Sequence, residues 1–241
     1  MLRAIAGADA NDPTASHEPV TDYLGVIGQG VHEVRVGIDR ALIVAGADAD
    51  MVRASEEAAR ALAEIGAKIL EVSFPSPDAV VRDWIPLCAV EAAIAHDATY
   101  PSRAAEYGPL LAGLLETGRS LDGRTVAKML LRRETFCSQL NALFSGIDLL
   151  IVPVMNVAAP TLADLAAAGR APPAIEARLR FTAPFDMSGH PTLTLPGGRT
   201  KDGLPVGFQI VGRPMEEALV LRAGHAFQQI TSWHRRRPPI S

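Results

Sequence analysis

The sequence predicts an α/β protein in which helices flank a mixed β-sheet, and three observations indicate this class. A strand pattern, a helical pattern and a second strand pattern follow one another between residues 33 and 75. The apolar run DLLIVPV (148–154) is typical of a strand buried on both faces. Two alternating runs, TLTLP (192–196) and VGFQIV (206–211), surround a turn and predict an antiparallel hairpin.

The composition is that of an ordinary globular protein. The 241 residues are 48% hydrophobic and 21% charged, which suffices for a full core. The net charge of −4 gives no reason to expect nucleic acid as a partner. No apolar run is long enough to span a bilayer, and we expect no membrane partner. Cys88 and Cys137 lie far apart in helical patterns, which fits two reduced thiols in a cytoplasmic protein.

We expect one partial domain over residues 1–241. Residues 1–33 predict an irregular lead-in with a short helix, in which GVIGQGVHE (25–33) lacks the spacing of a dinucleotide-binding loop. Residues 34–154 predict a βαβ unit followed by helices. Strand EVRVGID (33–39), helix 48–67 and strand KILEVSFP (68–75) have short links, so the two strands should be parallel.

Three helices are then predicted before the apolar strand. They cover residues 77–99, about 106–117 and 122–145. These are the only obvious cover for DLLIVPV, so we expect one apolar face of that strand to remain open. Such surface favours self-association.

The last third of the sequence divides into two parts. Residues 155–180 are rich in alanine and proline and predict a loop region with a short helix near 161–168. Residues 181–241 predict the hairpin and a C-terminal helix over 215–231.

No self-contained motif for catalysis or metal binding is present in the sequence. The chain lacks the G-x-S-x-G nucleophile elbow and the phosphate-binding loop. Its six histidines form no pair at the spacing of metal ligands. We therefore expect neither a metal nor a cofactor.

The one local cluster with suitable residue types is FDMSGHP, which contains Asp186, Ser188 and His190. In an extended chain these side chains would point in parallel about 6.5 Å apart, too far for a base to reach its nucleophile. We interpret the cluster as a turn in which Asp and Ser cap backbone amides and Gly189 permits a tight bend.

Residues 181–239 carry a long ordered set of motifs that resembles the C-terminal block of the amidase signature family. The motifs are Phe181-Thr182-Ala183-Pro184, Asp186, Ser188-Gly189-His190-Pro191, Pro196-Gly197-Gly198, Asp202-Gly203-Leu204-Pro205-Val206-Gly207, Gln209-Ile210-Val211-Gly212, His225 and Trp233-His234. Earlier segments are similar to the same family: AGADANDPT (6–14), RVGID (35–39), residues 91–109 and DLLIVPV, although Val154 stands where the family usually has threonine. The resemblance covers the whole chain but only the later half of a family member.

The family mechanism implied by the resemblance uses a serine nucleophile, a second serine in a cis peptide bond and a lysine base. Those residues lie upstream of the segment that resembles residues 6–14. Lys68, Lys128 and Lys201 are the only lysines, and none has the context of the family's base. The chain has no Ser-Ser pair and no Gly-Gly-Ser run, so we assign no catalytic residue.

The resemblance thus implies the C-terminal portion of an amidase, which hydrolyses a carboxamide to a carboxylate and ammonia or an amine, incomplete as this chain alone. Two alternatives are a non-catalytic binding or partner-association module, and a subunit fragment of a tRNA-dependent amidotransferase. The partner would be a small-molecule amide, once the missing half is supplied. The resemblance suggests Phe181, Thr182, Asp186 and Met187 as substrate-binding residues, with a purely loop-shaping role as the alternative for them.

Overall fold

The computed structural model describes residues 1–12, 14–168 and 171–237. Its sheet has five strands in the order β2-β1-β3-β5-β4. These strands are β1 (Arg35–Ile38), β2 (Lys68–Glu71), β3 (Leu149–Pro153), β4 (Thr192–Arg199) and β5 (Pro205–Gly212). β1 pairs in parallel with both β2 and β3, whereas β5 pairs antiparallel with both β3 and β4. The predicted mixed sheet, parallel βαβ unit and late hairpin are therefore confirmed.

Helices cover both faces of this sheet. They are α1 (Leu2–Ile5), α2 (Tyr23–Val26), α3 (Arg40–Gly46), α4 (Ala49–Glu64), α5 (Asp78–Ala95), α6 (Pro109–Ser120), α7 (Gly123–Leu143), α8 (Leu162–Ala168), α9 (Pro172–Leu179), α10 (Ala183–Ser188) and α11 (Glu217–Ile230). Short 3-10 turns occupy Ala104–Glu106 and Trp233–Arg235. The predicted helices at 48–67, 77–99, 106–117, 122–145, 161–168 and 215–231 all correspond to observed ones. Pro13 of the 6–14 match and the end of the 181–239 match lie outside the described residues.

Aspartate side chains begin several of these helices. Asp48 accepts a hydrogen bond from the Met51 amide at 2.9 Å at the start of α4, and Asp122 accepts one from the Thr125 amide at 3.0 Å at the start of α7. Asp39 caps α3 in the same way and also accepts from the Phe74 amide at 2.7 Å. Each cap satisfies an amide that the helix itself leaves without a partner. The bond from Phe74 also ties the segment after β2 to the end of β1.

Three helices differ from the sequence expectations. α3 was not predicted, because its apolar run lacks a polar face and begins immediately after a strand. α9 lies where a loop was predicted, and it begins with Pro172 and Pro173, which are favourable in a first helical turn. α10 replaces the predicted turn; Pro184 lies in its first turn, and Gly189 ends it at φ 71°, in the left-handed region that glycine adopts readily.

The expectation that one face of the central strand lacks a cover is wrong. On the first face, the side covered by α4 and α11, Leu149 and Ile151 pack against residues such as Leu62 and Phe227. On the second face, the side covered by α5, α7 and α10, Leu150 and Val152 lie in another apolar cluster. The first-face helices are remote from β3 in sequence, at 49–64 and 217–230, so counting only neighbouring helices missed them.

Candidate functional site

The segment 181–190, in which all four predicted substrate-binding residues lie, packs on the second face of the sheet. The side chains of Phe181 and Met187 are buried in the apolar cluster there, with 2% and 5% of their surface exposed. Thr182 is half-buried and Asp186 is exposed. Most side chains of the segment are therefore directed inward, whereas Thr182 and Asp186 are accessible to solvent.

Polar side chains from other elements hold the backbone of this segment. Gln209 on β5 is buried, and its Nε2 donates to the carbonyl oxygens of Phe181 at 2.7 Å and Pro153 at 3.0 Å. Arg133 on α7 donates from Nε to the Met187 carbonyl at 2.5 Å. Gln209 appeared in the sequence only as part of a strand motif, and Arg133 only as one residue of a helical stripe, so neither role was predicted.

Asp186 lies at the boundary between α10 and α5. Loss of solvation raises the pKa of its carboxyl above the ordinary value, although a hydrogen bond from the Trp84 side chain acts in the opposite direction. Burial also raises the pKa of the Cys88 thiol, and the charges of Glu91 and Asp186 raise it further. An acidic residue, an indole donor and a thiol thus lie together beside the candidate segment.

Ser188 and His190 do reach each other, contrary to the expectation for an extended chain. Ser188 Oγ lies 3.0 Å from His190 Nδ1, because α10 and the left-handed Gly189 turn the chain between them. Ser188 Oγ also donates to the Phe185 carbonyl at 3.5 Å. Because the Ser188 hydroxyl is oriented toward Phe185, we expect His190 Nδ1 to carry the imidazole proton and to donate it to Ser188.

The rest of the His190 environment does not form a serine triad. His190 is 4% exposed, and its ring stacks on Phe144 with 4.9 Å between centroids. Its Nε2 has no hydrogen-bond partner within the part of the chain that the structure describes. Burial lowers the pKa of His190, while a hydrogen bond to the Ser188 backbone raises it. A catalytic base needs a free nitrogen facing the nucleophile and a third group that orients the ring. Among the described residues no third group bonds Nε2 to orient the ring of His190.

The three lysines are all at the surface. Lys68 forms an ion pair with Glu33, and its side chain is 54% exposed. Lys128 is exposed on α7, and Lys201 is exposed in the hairpin turn. A neutral lysine base requires a desolvated position. None of the three has one in this structure.

A cleft of about 490 Å³ opens beside the start of the candidate segment. Its walls come from α3, α5 and α9, and they carry Asp78, Arg82, Glu176 and Arg180. Arg180 directly precedes Phe181 and donates from Nη1 to Asp78 at 2.8 Å, whereas its buried Nε finds no acceptor among the described residues. An adjoining apolar hollow of about 240 Å³ lies between α5 and α9. Together they can receive a ligand with an apolar body and a polar head.

Gly46, at the end of α3, lies where this cleft meets the candidate segment. A Cβ atom at this position would lie 2.9 Å from both Arg180 Nε and Phe181 Cζ. A larger residue at position 46 would therefore push apart the cleft wall and the buried ring of Phe181.

Metal centres and membrane-spanning helices are both absent from the described ranges 1–12, 14–168 and 171–237. No group of three histidine, cysteine, aspartate or glutamate side chains there could hold a metal ion. None of the helices in those ranges combines the length and apolar character needed to cross a membrane.

Comparison with known proteins identifies the family. A family model described as Amidase matches residues 1–221. AmiD of Mycobacterium tuberculosis, named as an amidase, is 39% identical over 241 residues, covering 100% of this chain and 50% of AmiD. A glutamyl-tRNA(Gln) amidotransferase subunit of Geobacter sp. (strain M21) is 30% identical over 268 residues, covering 100% of this chain and 54% of its own length.

A solved structure has the same fold. The structure of 6-aminohexanoate cyclic dimer hydrolase in complex with its substrate superposes with a TM-score of 0.82 at 22% identity. The superposition covers 99% of this chain and 53% of the hydrolase chain. This chain thus spans about half the length of the relatives it matches, as the resemblance predicted. The match over residues 1–221 shows that the chain belongs to the amidase family.

Proposed function

We propose that this chain is the substrate-binding portion of an amidase, which hydrolyses carboxamides to a carboxylate and ammonia or an amine. The observation that carries the proposal is the cleft beside residues 181–190, in a chain that matches about half of its amidase relatives over its full length. Thr182 and Asp186 contact the substrate in this proposal, from positions next to the residues that line the cleft. Phe181 and Met187 shape the wall from within, because their side chains are buried.

The nucleophile and base come from outside these 241 residues in this proposal. Acyl transfer needs a nucleophile whose proton is removed by a neighbouring base. No described residue orients the His190 ring beside Ser188, and the lysines are exposed, so the described residues support no such pair. The chain by itself is then catalytically incomplete.

The amidotransferase alternative is favoured by one observation, the 30% identity to the Geobacter protein over the whole chain. In that case the completed protein would release ammonia from an amide donor for transfer instead of simple hydrolysis. A non-catalytic binding module would use the same cleft without turnover. Each alternative keeps the ligand beside residues 181–190 and differs in what the other half does. Under each of the three alternatives we place the protein in the cytoplasm, because Cys88 and Cys137 are both free thiols.

The experiment uses two proteins: the 241-residue chain, and a fusion of it to the half of AmiD that it does not match. Each is treated with a fluorophosphonate probe and with simple aliphatic and aryl carboxamides. We expect the fusion to be labelled and to release ammonia or amine, and the chain alone to do neither. Ser188→Ala should leave fusion labelling unchanged, with the exposed Ser145→Ala as the matched control.

Three results would overturn the proposal. Stoichiometric labelling of the chain alone that Ser188→Ala abolishes would assign the nucleophile to Ser188. A folded fusion that binds amides without turnover would favour the binding module. Glutamine hydrolysis that far exceeds that of other amides would favour the amidotransferase.

A further inference from the structure

A small pocket of about 180 Å³ lies where the β4–β5 hairpin meets the 3-10 turn Trp233–Arg235. None of its lining residues lines the cleft beside residues 181–190, so the ligand of this pocket does not depend on the proposed function. The lining of this C-terminal pocket includes two prolines, one tryptophan and three basic side chains: Pro196, Pro205, Trp233, Arg199, His234 and Arg236.

The basic side chains of the C-terminal pocket are not neutralised by acidic ones. No acidic residue lines the pocket. Within the part of the chain that the structure describes, no carboxylate forms an ion pair with Arg199, His234 or Arg236. The neighbouring Arg53, in contrast, is paired with Asp50. The pocket therefore presents the charge of two guanidinium groups without a counter-charge.

Two hydrogen bonds hold Arg199 in position. Its Nη1 donates to the Gly203 carbonyl at 2.9 Å in the hairpin turn, and its own carbonyl accepts from Arg53 Nη2 at 2.8 Å. These bonds leave most N–H donors of the Arg199 guanidinium available. Because the half-buried side chain is already ordered, a ligand that binds it loses little affinity to the ordering of that side chain.

Arg236 is held by an aromatic ring. Its guanidinium carbon lies 4.3 Å from the centre of the Trp233 ring, which is a cation–π contact. Trp233 in turn packs against the apolar cluster of the first face. Stacking uses the flat face of the guanidinium, and the N–H donors in its plane stay available for a ligand. Arg236 is therefore fixed to the core through Trp233, although its own side chain is exposed.

His234 adds a further group that favours a negative charge. Its Nε2 accepts a hydrogen bond from Arg235 Nε at 3.4 Å, so we expect the ring proton on Nδ1. This Nδ1 is buried and finds no acceptor among the described residues. The partial positive charge of its N–H is not offset nearby, and in a partly buried position such a charge acts strongly.

We propose that the C-terminal pocket binds a phosphate group, either inorganic phosphate or the phosphate of an organic monoester. Guanidinium donors match the spacing of phosphate oxygens. A phosphate monoester carries about −1.5 to −2 charge at pH 7, which matches Arg199 and Arg236 together, whereas a carboxylate would neutralise only one of them. The volume of the pocket is several times the roughly 30 Å³ of one water molecule, which suffices for a phosphate group.

The test measures binding of small anions to the 241-residue chain by isothermal titration calorimetry. The probes are inorganic phosphate, phenyl phosphate and acetate. We expect both phosphates to bind, and acetate to bind at least ~10-fold more weakly, because it carries one charge and fewer acceptor oxygens. In NMR spectra the indole N–H signal of Trp233 should shift when phosphate is added. The signal of Trp84, which does not line the pocket, should stay unchanged.

Matched arginine substitutions locate the site. Arg199→Gln and Arg236→Gln each remove a guanidinium from the pocket and should weaken phosphate binding at least ~10-fold, because charge-assisted hydrogen bonds are lost. Arg237→Gln removes the same charge from an exposed position that does not line the pocket, and should change the affinity less than ~2-fold, since exposed charges are screened by salt. Circular dichroism confirms folding, and Arg236→Gln alone carries the test if Arg199→Gln does not fold.

The inference is overturned if inorganic phosphate and phenyl phosphate both fail to bind, or if acetate binds as tightly as phosphate. It is also overturned if Arg237→Gln weakens binding as much as Arg236→Gln, because that result would show general attraction to a basic surface. Tighter binding of phenyl phosphate than of inorganic phosphate would support the inference with an organic monoester as the ligand. Tighter or equal binding of inorganic phosphate would support it with the free ion.

Discussion

The two faces of the central strand are covered in different ways. On the first face, α4 and α11 contact the sheet through apolar side chains spaced at the helical period, and the cluster includes Leu62, Phe208 and Phe227. On the second face, α10 packs beside α5 and α7 and has only six residues. A helix this short is not stable by itself, so its position depends on tertiary contacts.

The contrast shows how the candidate site is held. Apolar area stabilises the first face and has no directional requirement. The second face adds hydrogen bonds from Gln209 and Arg133 to main-chain carbonyls at the two ends of the α10 segment. These bonds fix the backbone of the segment from the inside. Substitutions on the first face should therefore lower the stability of the whole protein, whereas those on the second face should also loosen the candidate segment.

The largest effect is expected for Leu62→Ala on the first face. Leu62 is 0% exposed, so its truncation leaves a cavity and should lower the free energy of unfolding by about 3–4 kcal/mol. Urea denaturation measures this value. The same change at Leu131, which is 67% exposed, should cost less than about 0.5 kcal/mol. Equal losses at the two positions would contradict the packing described for this face.

Gln209→Leu should act on the second face by a different route. The substitution keeps the side chain buried but leaves the Phe181 carbonyl without its donor, at a cost of about 2–3 kcal/mol. Amide exchange over residues 182–189 should also become faster than in the unchanged chain. Gln229→Leu, at an exposed position of α11, is the control and should change neither quantity. Uniformly faster exchange throughout the sheet would show a global effect and not the loss of an anchor.

Asp148, directly before β3, joins the two strands that flank β3 in the sheet, β1 and β5. Its carboxylate accepts hydrogen bonds from Arg35 at 2.7 Å and 3.1 Å and from Arg213 at 2.9 Å. The bond from Arg35 is the main cause that lowers its pKa from 3.8 to about 2. Because the folded pKa is below the unfolded one, the contribution is present above pH 4 and is lost as the pH falls from about 4 to about 2.

Asp148→Asn should therefore lower the free energy of unfolding by about 2 kcal/mol at pH 7, and by much less at pH 2. Urea denaturation at a series of pH values measures the difference between the two proteins. Asp202→Asn, in the exposed hairpin turn, is the matched control and should change stability by less than about 0.5 kcal/mol. A difference that does not depend on pH would show that Asp148 contributes by shape alone.

The smallest effect is expected for Ser188→Ala. It removes the acceptor of the buried His190 Nδ1 proton and should cost about 1 kcal/mol. Nitrogen chemical shifts of the His190 ring report the tautomer directly, and they should show the proton on Nδ1 before the substitution. A proton on Nε2 would contradict the assignment and would restore a free nitrogen facing Ser188.

The sequence predicted the main strands and helices because their patterns depend on residues that are close together in the chain. Alternation along TLTLP and VGFQIV, the apolar run DLLIVPV and the helical spacing over 48–67 each depend on neighbouring residues, and all four elements are confirmed. The ordered motifs of residues 181–239 likewise indicated the family without any contact being known. The same sequence located the candidate segment, but interpreted its backbone as a turn.

The tertiary structure alone decided how that segment is arranged. Phe181 and Gln209 are 28 residues apart, and Arg133 and Met187 are 54 apart, so no periodic pattern connects them. The contact between Ser188 and His190 depends on a helix too short to be predicted by propensity, stabilised here by packing under α5 and α7. The cover of the first face comes from helices on either side of β3 in the chain. Local spacing determines which face of an element is apolar, but which element packs against that face is set by long-range burial and hydrogen bonding, for which neighbouring residues carry no signal.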